Sequence, residues 1–216
     1  MNNLFSMDNG VFSFLGKMWD ILVISILWLL LCLPIITIGP ATTALYYTVV
    51  KVIRRERGYL FREFFHSFKM NFLNGMVLGI ILMALYYILY IDLNFAKAME
   101  DANMRFIFLA VFSAFSFIML CGTVYVFPLL SRFTMGKLQI LKTAFLMSVK
   151  HLPTTILMLL IVGCFAFIAW MQPIFLFFSS GICLLLCSLP LERVFKKYIP
   201  KSEDGEGPKI DEWYLE

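Results

Sequence analysis

The sequence predicts an all-α membrane protein with about five transmembrane helices, because five long stretches carry no charge. The chain has 216 residues, of which 61% are hydrophobic and 15% charged, whereas soluble domains are about half apolar and a quarter charged. A helix needs roughly 20 apolar residues to cross a hydrocarbon core of about 30 Å. The runs are too long and too continuously apolar for barrel strands, the other structure that satisfies the backbone in lipid. They cover residues 21–38, 73–91, 106–130, 152–170 and 174–190.

The first 19 residues alternate apolar and polar side chains. This pattern predicts an amphipathic helix at the lipid headgroups that ends near Asp20, where the first span begins. Residues 1–199 as a whole predict one polytopic helical domain with short loops. Residues 200–216 begin with a run of acidic residues and glycines, and they predict a disordered cytoplasmic tail.

The first span is broken near its end. Residues 21–50 carry no charge and would form a helix of about 45 Å, which exceeds one straight crossing. Pro34 removes an internal hydrogen bond and predicts a kink, and Gly39-Pro40 predicts the start of a second helix. The pattern of residues 41–55 predicts that this second helix is amphipathic and lies at the cytoplasmic interface. The sequence leaves open whether residues 41–55 lie at the interface or form part of a kinked span.

Two further amphipathic segments precede later spans. Residues 60–71 place phenylalanines on one face, and residues 134–150 are basic. Ser67-Phe68-Lys69 and Ser148-Val149-Lys150 stand before the second and fourth spans. Together these features indicate a weak two-unit internal repeat, with the fifth span appended.

The positive charges predict the orientation of the helices. Fifteen of the 18 Lys and Arg residues lie in residues 51–69, 132–150 and the tail from 192, and the segments between these regions are poor in positive charge. The positive-inside rule then predicts a multi-pass protein of the bacterial plasma membrane, with its N-terminus outside and its C-terminus in the cytoplasm. We interpret the basic segments as contacts with the lipid bilayer and expect no binding of nucleic acid.

The bend after the first span is the best candidate for a ligand site. A helix N-terminus beside a broken span offers N–H groups and hydroxyls that suit an anion or a polar ligand. The alternative, which we prefer, is that glycine and proline build the bend while the threonines cap the helix. The candidate residues are Thr37, Gly39, Pro40, Thr42 and Thr43.

The basic and aromatic side chains of the cytoplasmic segments are candidates for docking a partner protein. The phenylalanine stripe of residues 60–71 suits either a partner surface or burial at the interface or in the bundle. The docking candidates are Arg54, Arg55, Arg57, Phe61, Phe64, Phe65, Phe68, Lys69, Lys142 and Lys150.

The residue types that catalysis needs are missing from the predicted spans, so we expect no enzyme. Asp92 and Glu192 are expected at span ends, in contact with water. The chain has no HExxH, GxSxG or Walker A motif, and two separated histidines do not make a metal site. Cys183 and Cys187 share a helix face, and we interpret them as packing residues. We therefore expect no cofactor and no metal.

One block of sequence resembles a known family. The residues Trp28-Leu29-Leu30-Leu31-Cys32-Leu33-Pro34-Ile35-Ile36-Thr37-Ile38-Gly39-Pro40-Ala41-Thr42-Thr43-Ala44-Leu45-Tyr46, followed by Phe61-Arg62-Glu63-Phe64-Phe65 and Phe68-Lys69-Met70-Asn71-Phe72, resemble the YesL-like family of bacterial integral membrane proteins. The domain of that family has no known function, and its genes often lie beside those of carbohydrate ABC importers. The resemblance implies an accessory of sugar uptake and implies no catalytic or binding residues.

The sequence therefore leads to two hypotheses. The first is an integral membrane accessory protein that associates with the permease or ATPase subunits of a carbohydrate ABC importer, since no nucleotide-binding motif is present to energise transport. The alternative is a small autonomous permease for a sugar or an anion, with its path at the broken first span. The sequence indicates neither a substrate, nor an oligomeric state, nor a direction of transport.

Overall fold

The computed structural model describes residues 10–198, and all the regular secondary structure in this part is helical. The predicted tail, residues 200–216, and the first half of the predicted N-terminal amphipathic segment lie outside the described residues. The helices are α1 (Gly10–Cys32), α2 (Ile38–Thr48), α3 (Leu60–Met70), α4 (Phe72–Lys97), α5 (Ala102–Arg132), α6 (Lys137–Lys150), α7 (Leu152–Met171) and α8 (Leu176–Phe195). Short 3₁₀ turns at Ile35–Thr37 and Pro173–Phe175 precede α2 and α8, and a π-helical turn, Val49–Arg54, extends α2.

The predicted all-α membrane class is confirmed. Within residues 10–198, six helical segments are long and apolar enough to cross a membrane. Four of them contain predicted spans, a fifth, Leu15–Cys32, overlaps the first predicted span, residues 21–38, and the additional one is Ile35–Arg54. Within an 18-residue apolar stretch of each segment, 11% of the residues are buried in α4, α5 and α7, against 67% in Ile35–Arg54. Lipid therefore surrounds most spans, whereas protein surrounds α2.

This packing corrects the expectation that residues 41–55 lie at the cytoplasmic interface. Helices α1, α3, α4, α5 and α8 all contact α2, and Leu45 and Val49 are fully buried. The threonines that gave the segment its polar pattern are compatible with burial, because a threonine hydroxyl can bond within its own helix. Thr43, for example, donates a hydrogen bond to the carbonyl oxygen of Gly39 at 2.9 Å.

Helices α1 and α2 form an antiparallel hairpin. Near the tip, Trp28 Nε1 donates a hydrogen bond to Thr42 Oγ1 at 3.2 Å. At the open end, the Lys17 ammonium lies 2.5 Å from the Glu56 carboxylate. Both ends of the hairpin therefore lie on one side of the fold, and a single crossing by residues 21–38 does not describe this arrangement.

The hairpin tip is exposed and apolar. Leu33 is 77% exposed and Ile35 is 64% exposed, and no charged residue lies between Asp20 and Lys51. Helix α1 also runs through Asp20 without interruption. The expected boundary between an interfacial helix and the first span is therefore not found there.

Helix α2 begins directly against α4 at a cluster of glycines. A Cβ atom built on Gly75 would lie 2.8 Å from the Pro40 nitrogen, and one on Gly79 would lie 3.7 Å from Gly39 Cα. Two glycines four residues apart let helix backbones approach closely in membranes. This contact fixes the start of α2 beside the first two turns of α4.

The two amphipathic segments predicted before later spans are both helical. Helix α3 packs along α2, and α6 folds back on α5. The ends of α5 and α8 meet through Phe133 and Phe195, whose ring centroids are 5.7 Å apart. The bundle therefore has one end at which α2, α3, α5 and α8 converge, called the basic end below. The weak internal repeat stays a prediction.

Candidate functional site

A buried ion pair joins the C-terminal turns of α5 and α8 at the basic end. Arg132 Nη2 lies 2.9 Å from Glu192 Oε2, and the two residues are only 3% and 4% exposed. The expectation that water reaches Glu192 was wrong, because the ends of three helices enclose it. Buried charges need a partner, since removing either one leaves the other without compensation.

Helix α2 contributes a third group to the same carboxylate. The fully buried Tyr46 donates its hydroxyl to Glu192 Oε1 at 3.0 Å. Arg55 Nη2 lies 4.0 Å from Glu192 Oε2, which is an ionic contact beyond hydrogen-bond length. One carboxylate thus links α2, α5 and α8.

The π-helical turn Val49–Arg54 brings the end of α2 to α8. Such turns insert an extra residue into a helix and are frequent at functional sites. Arg54, at the end of the turn, donates from Nη1 to the Ser188 carbonyl oxygen at 3.0 Å and to Ser188 Oγ at 3.3 Å. This contact anchors the guanidinium of Arg54 on α8.

Two neighbouring cavities open at this end of the bundle and share Arg193. The first, of about 280 Å³, lies between the ends of α2 and α8. The second, of about 340 Å³, lies between α7 and α8 and includes His151 and Lys197. Burial and the positive charges of Lys197 and Lys150 lower the pKa of His151 from its ordinary value. The first cavity is lined by Arg54, Arg55, Leu189, Glu192, Arg193 and Lys196.

The predicted ligand site at the bend is occupied by contacts within the chain. Gly39 and Pro40 are buried against α4. Thr37 makes no side-chain capping bond to α2, so the expected cap is not formed. Each threonine hydroxyl donates to a carbonyl oxygen nearby. These bonds run from Thr37 to Pro34 (2.6 Å), from Thr42 to Ile38 (2.7 Å) and from Thr43 to Gly39 (2.9 Å). This geometry favours a structural role for the bend, and ligand binding there stays a prediction.

The predicted docking phenylalanines comprise one buried, one half-buried and two exposed side chains. Phe64 is fully buried in the core formed with α1 and α2, and Phe68 packs at a centroid distance of 5.5 Å from Phe72. Phe61 is 56% exposed and Phe65 is 39% exposed. Phe61 and Phe65 are therefore the two that are most accessible to a partner.

The predicted basic docking residues do not form one cluster. Arg54 and Arg55 lie beside Glu192, whereas Lys69 lies in the last turn of α3 and is exposed. Lys142 and Lys150 are exposed on α6, which packs against α5 and α7. Arg57 is exposed in the connection between the π-helical turn and α3.

Sequence reasoning missed the central residues of the site, Arg132 and Glu192. A usable signal was present. Each is the first charged residue after a long uncharged run, and each lies at the basic end of its helix. Opposite charges at such equivalent positions are candidates for a pair, because a lone charge near the hydrocarbon is costly.

Comparisons with known proteins identify similar chains of unknown function. The family model "Protein of unknown function, DUF624" matches residues 21–93, which contain most of the α1–α2 hairpin, α3 and most of α4. The chain is 25% identical over 204 residues to "Uncharacterized protein YesL" of Bacillus subtilis (strain 168), covering 92% of this chain and 95% of that protein. It is 33% identical over 163 residues to "Uncharacterized protein YteU" of the same organism, covering 73% and 72% of the two chains. No solved structure matches the chain.

Proposed function

We propose, from the premise that this chain belongs to the YesL-like (DUF624) family, that it is an integral membrane accessory protein associated with a carbohydrate ABC importer. The resemblance of its sequence block to that family supplies the uptake context. The observation that carries the proposal is the contrast between the internally bonded bundle and the exposed aromatic and basic side chains of α3. We further propose that the protein catalyses no reaction of its own.

The interior of the bundle supports an accessory role over a permease. A permeation path needs polar groups that are available to the substrate. The buried hydroxyls of Ser25, Thr43 and Thr48 instead donate to the carbonyl oxygens four residues earlier in their helices, at 2.7, 2.9 and 2.8 Å. The hydroxyls of Tyr125 and Thr155 bond to each other at 3.0 Å. These hydroxyls bond within the protein, so few buried polar groups remain to bind a solute.

Helix α3 supplies the proposed docking surface. Phe61 and Phe65 are four residues apart, so they lie on one face of the helix, and both are exposed. Arg62 and Lys69 are exposed on the same helix. Amphipathic helices commonly dock such apolar anchors into a groove on a partner. The partner proposed here is a cytoplasm-facing surface of the importer's permease or ATPase subunit.

The orientation in the membrane follows from the hairpin and from the positive charges. The Lys17–Glu56 contact places the start of α1 beside the basic residues 51–69, which the positive-inside rule assigns to the cytoplasm. We therefore propose that both the start of α1 and the end of α8 face the cytoplasm. An outside N-terminus would require residues 21–38 to cross once without returning.

The lengths of the hairpin legs support a re-entrant loop. The uncharged parts of the legs, residues 21–32 and 38–50, are each about 18–20 Å long at about 1.5 Å per residue. These uncharged parts are shorter than a hydrocarbon core of about 30 Å, although the whole helical segments that contain them, Leu15–Cys32 and Ile35–Arg54, are long enough to cross. An apolar tip that stops within the lipid needs no polar residues, and residues 33–36 have none.

The orientation is tested with a protease-cleavable tag at the N-terminus of the full chain. In intact spheroplasts the tag should resist added protease, and in inside-out vesicles it should be cleaved. A tag at the C-terminus serves as the cytoplasmic reference. Cleavage of the N-terminal tag in intact spheroplasts would restore the outside N-terminus and remove the re-entrant hairpin.

Affinity purification from native membranes tests the function. The wild-type chain should recover permease or ATPase subunits of a carbohydrate importer, and the double variant Phe61→Ala/Phe65→Ala should lose them. The matched control is Phe106→Ala/Phe115→Ala, which removes two exposed phenylalanines (74% and 55% exposed) from α5 and should keep the partner. If the wild-type chain recovers no importer subunit, the proposal is contradicted.

The permease alternative has its own test in the same purified material. Reconstituted liposomes containing the protein alone should show no flux of sugars or anions. Flux that slows in Thr37→Val or Thr42→Val would instead establish the bend as a transport path.

A further inference from the structure

We propose that the cavity between the ends of α2 and α8 binds a phosphate group at the membrane surface, the group that anionic lipid headgroups and soluble phosphates share. The cavity is lined by Arg54, Arg55, Leu189, Glu192, Arg193 and Lys196 and has a volume of about 280 Å³. This is slightly below the roughly 300–1,000 Å³ of pockets that take drug-sized molecules. Its size suits a headgroup better than an oligosaccharide.

The charges around the cavity leave a large positive excess. Four of its six lining residues are cations and one is a carboxylate. The carboxylate of Glu192 is already paired with Arg132 at 2.9 Å, and Arg132 does not line the cavity. The charge of Glu192 is therefore largely neutralised from behind, and the four cations act together on the cavity.

The arginines present suitable donors in a partly fixed arrangement. A guanidinium has five N–H donors, and its planar fork matches the oxygens of a phosphate. Arg54 uses one terminal nitrogen on Ser188 of α8, which holds its side chain across the gap between the helices. Arg193 follows Glu192 directly on α8 and is exposed, so the site joins both walls of the cavity.

The helix ends at this site act against an anion, but more weakly than the side chains. The C-terminal ends of the π-helical turn and of α8 lie nearby, and a helix C-terminus carries an effective charge of about −0.5. Two such ends amount to about one negative charge. Four cations exceed this, and so the net attraction for a phosphate remains.

The neighbouring cavity extends the same positive field. Arg193 lines both cavities, and the second also holds Lys197 and His151. The lowered pKa of His151 has Lys197 and Lys150 among its causes, after burial. Positive charge therefore continues from the first cavity into the second one through Arg193 and Lys197.

The surroundings of the cavity favour a lipid as the source of the phosphate. Leu189 lines the cavity and is 44% exposed, and Leu186, one turn earlier on α8, is 37% exposed. Acyl chains can cover these leucines while the headgroup reaches the arginines. Basic pockets between helices on the cytoplasmic side bind lipid headgroups in this manner.

Native mass spectrometry of the full-length protein tests the proposal, with three probes titrated separately. These are phosphatidylglycerol, the zwitterionic phosphatidylcholine, and inorganic phosphate. The informative variant is Arg193→Gln/Lys196→Gln, because neither residue forms an ion pair within residues 10–198. The control is Lys137→Gln/Lys142→Gln, which removes two exposed charges of α6.

Phosphatidylglycerol should bind the wild type and the control alike, and should bind the Arg193→Gln/Lys196→Gln variant about 30-fold more weakly, the effect of removing two interfacial cations. Phosphatidylcholine should bind weakly to the wild type, the variant and the control. Binding of inorganic phosphate with the same loss in the variant, and no preference for phosphatidylglycerol, would keep the phosphate site and assign it to a soluble ligand. Equal binding of every probe to the variant and the wild type would overturn the proposal.

Discussion

The basic end of the bundle and the opposite end hold their charged side chains in different ways. At the basic end the pair of Arg132 and Glu192 is buried, and Lys51 lies 2.7 Å from Glu63 with both side chains less than 20% exposed. At the opposite end, where α4 turns into α5, the exposed Asp101 accepts one backbone hydrogen bond from Asn103 at 3.0 Å. The first arrangement fixes the positions of several helices, whereas the second only caps one helix.

The largest expected effect comes from breaking the buried pair. Arg132→Ala should lower the free energy of unfolding by about 3 kcal/mol, the lower end of the range for a broken buried pair. It removes the nearest cation of Glu192 and leaves this buried carboxylate with the Tyr46 hydroxyl and the longer contact to Arg55. Unfolding in mixed micelles by added denaturing detergent measures it. At the opposite end, Asp101→Ala removes an N-cap and should cost about 1 kcal/mol.

A double replacement shows whether the loss arises from uncompensated charge. Arg132→Met combined with Glu192→Leu removes both charges and should recover at least half of the lost stability, because apolar residues of similar size often replace a buried pair without penalty. A loss below about 1 kcal/mol for Arg132→Ala, well under the range expected for a broken buried pair, would show that the ends of the bundle do not differ in the way described.

The glycine contact between α2 and α4 should give the next largest effect. Gly75→Ala places a methyl group against the backbone of Pro40, and such overpacking costs about 1–3 kcal/mol. A methyl group added at Gly163 of α7 would meet no atom within 4 Å, so Gly163→Ala should be neutral or slightly stabilising. The same detergent titration compares them, and equal effects of the two substitutions would contradict the close approach.

Double-mutant cycles compare the coupling energies of the two lysine–glutamate pairs at the basic end. The coupling between Lys51 and Glu63 should be about 1 kcal/mol, because both side chains are largely buried. The coupling between Lys17 and Glu56 should lie within experimental error of zero, because these side chains are 41% and 66% exposed. Alanine substitutions, single and combined, provide both values. A larger coupling for the exposed pair would reverse the proposed ranking.

The smallest expected effect is a dependence on pH at His151. Burial, with Lys197 and Lys150, lowers the pKa of His151 from 6.5, so the unfolded chain takes up a proton at higher pH than the folded one. Stability should therefore fall as the pH drops through about 6.5. The midpoint of thermal unfolding between about pH 7.5 and 5.5, a window that brackets the ordinary histidine pKa, measures this slope, and His151→Gln should reduce it. An unchanged slope in His151→Gln would assign the dependence to other groups.

The sequence predicted the lipid-facing part of the fold well. Long uncharged runs need no knowledge of neighbours, because lipid is a uniform solvent, and so α4, α5, α7 and α8 follow from composition. The break near Pro34 was also predicted and confirmed, and the new helix begins at Ile38, just before the predicted Gly39-Pro40. Both depend on local backbone constraints that are visible in the residues themselves.

The packed part of the fold was less accessible to sequence reasoning. Threonines in α2 and phenylalanines in α3 gave an amphipathic pattern, but burial of Thr43 and Phe64 depends on which helices surround them. The pairing of Arg132 with Glu192 joins residues 60 positions apart in the chain, and only tertiary structure brings them together. Local periodicity therefore predicted the helices but not their neighbours.

Site-specific photo-crosslinking in native membranes tests the central claim most directly, namely that the protein acts through a partner docked at α3. A photoreactive amino acid replaces the exposed Phe61 or Phe65 in one set of variants and the exposed Phe106 of α5 in the control. The account predicts a covalent product with an importer permease or ATPase subunit from positions 61 and 65, and none from position 106. Crosslinks to lipid alone at positions 61 and 65, or the same protein product from position 106, would contradict it.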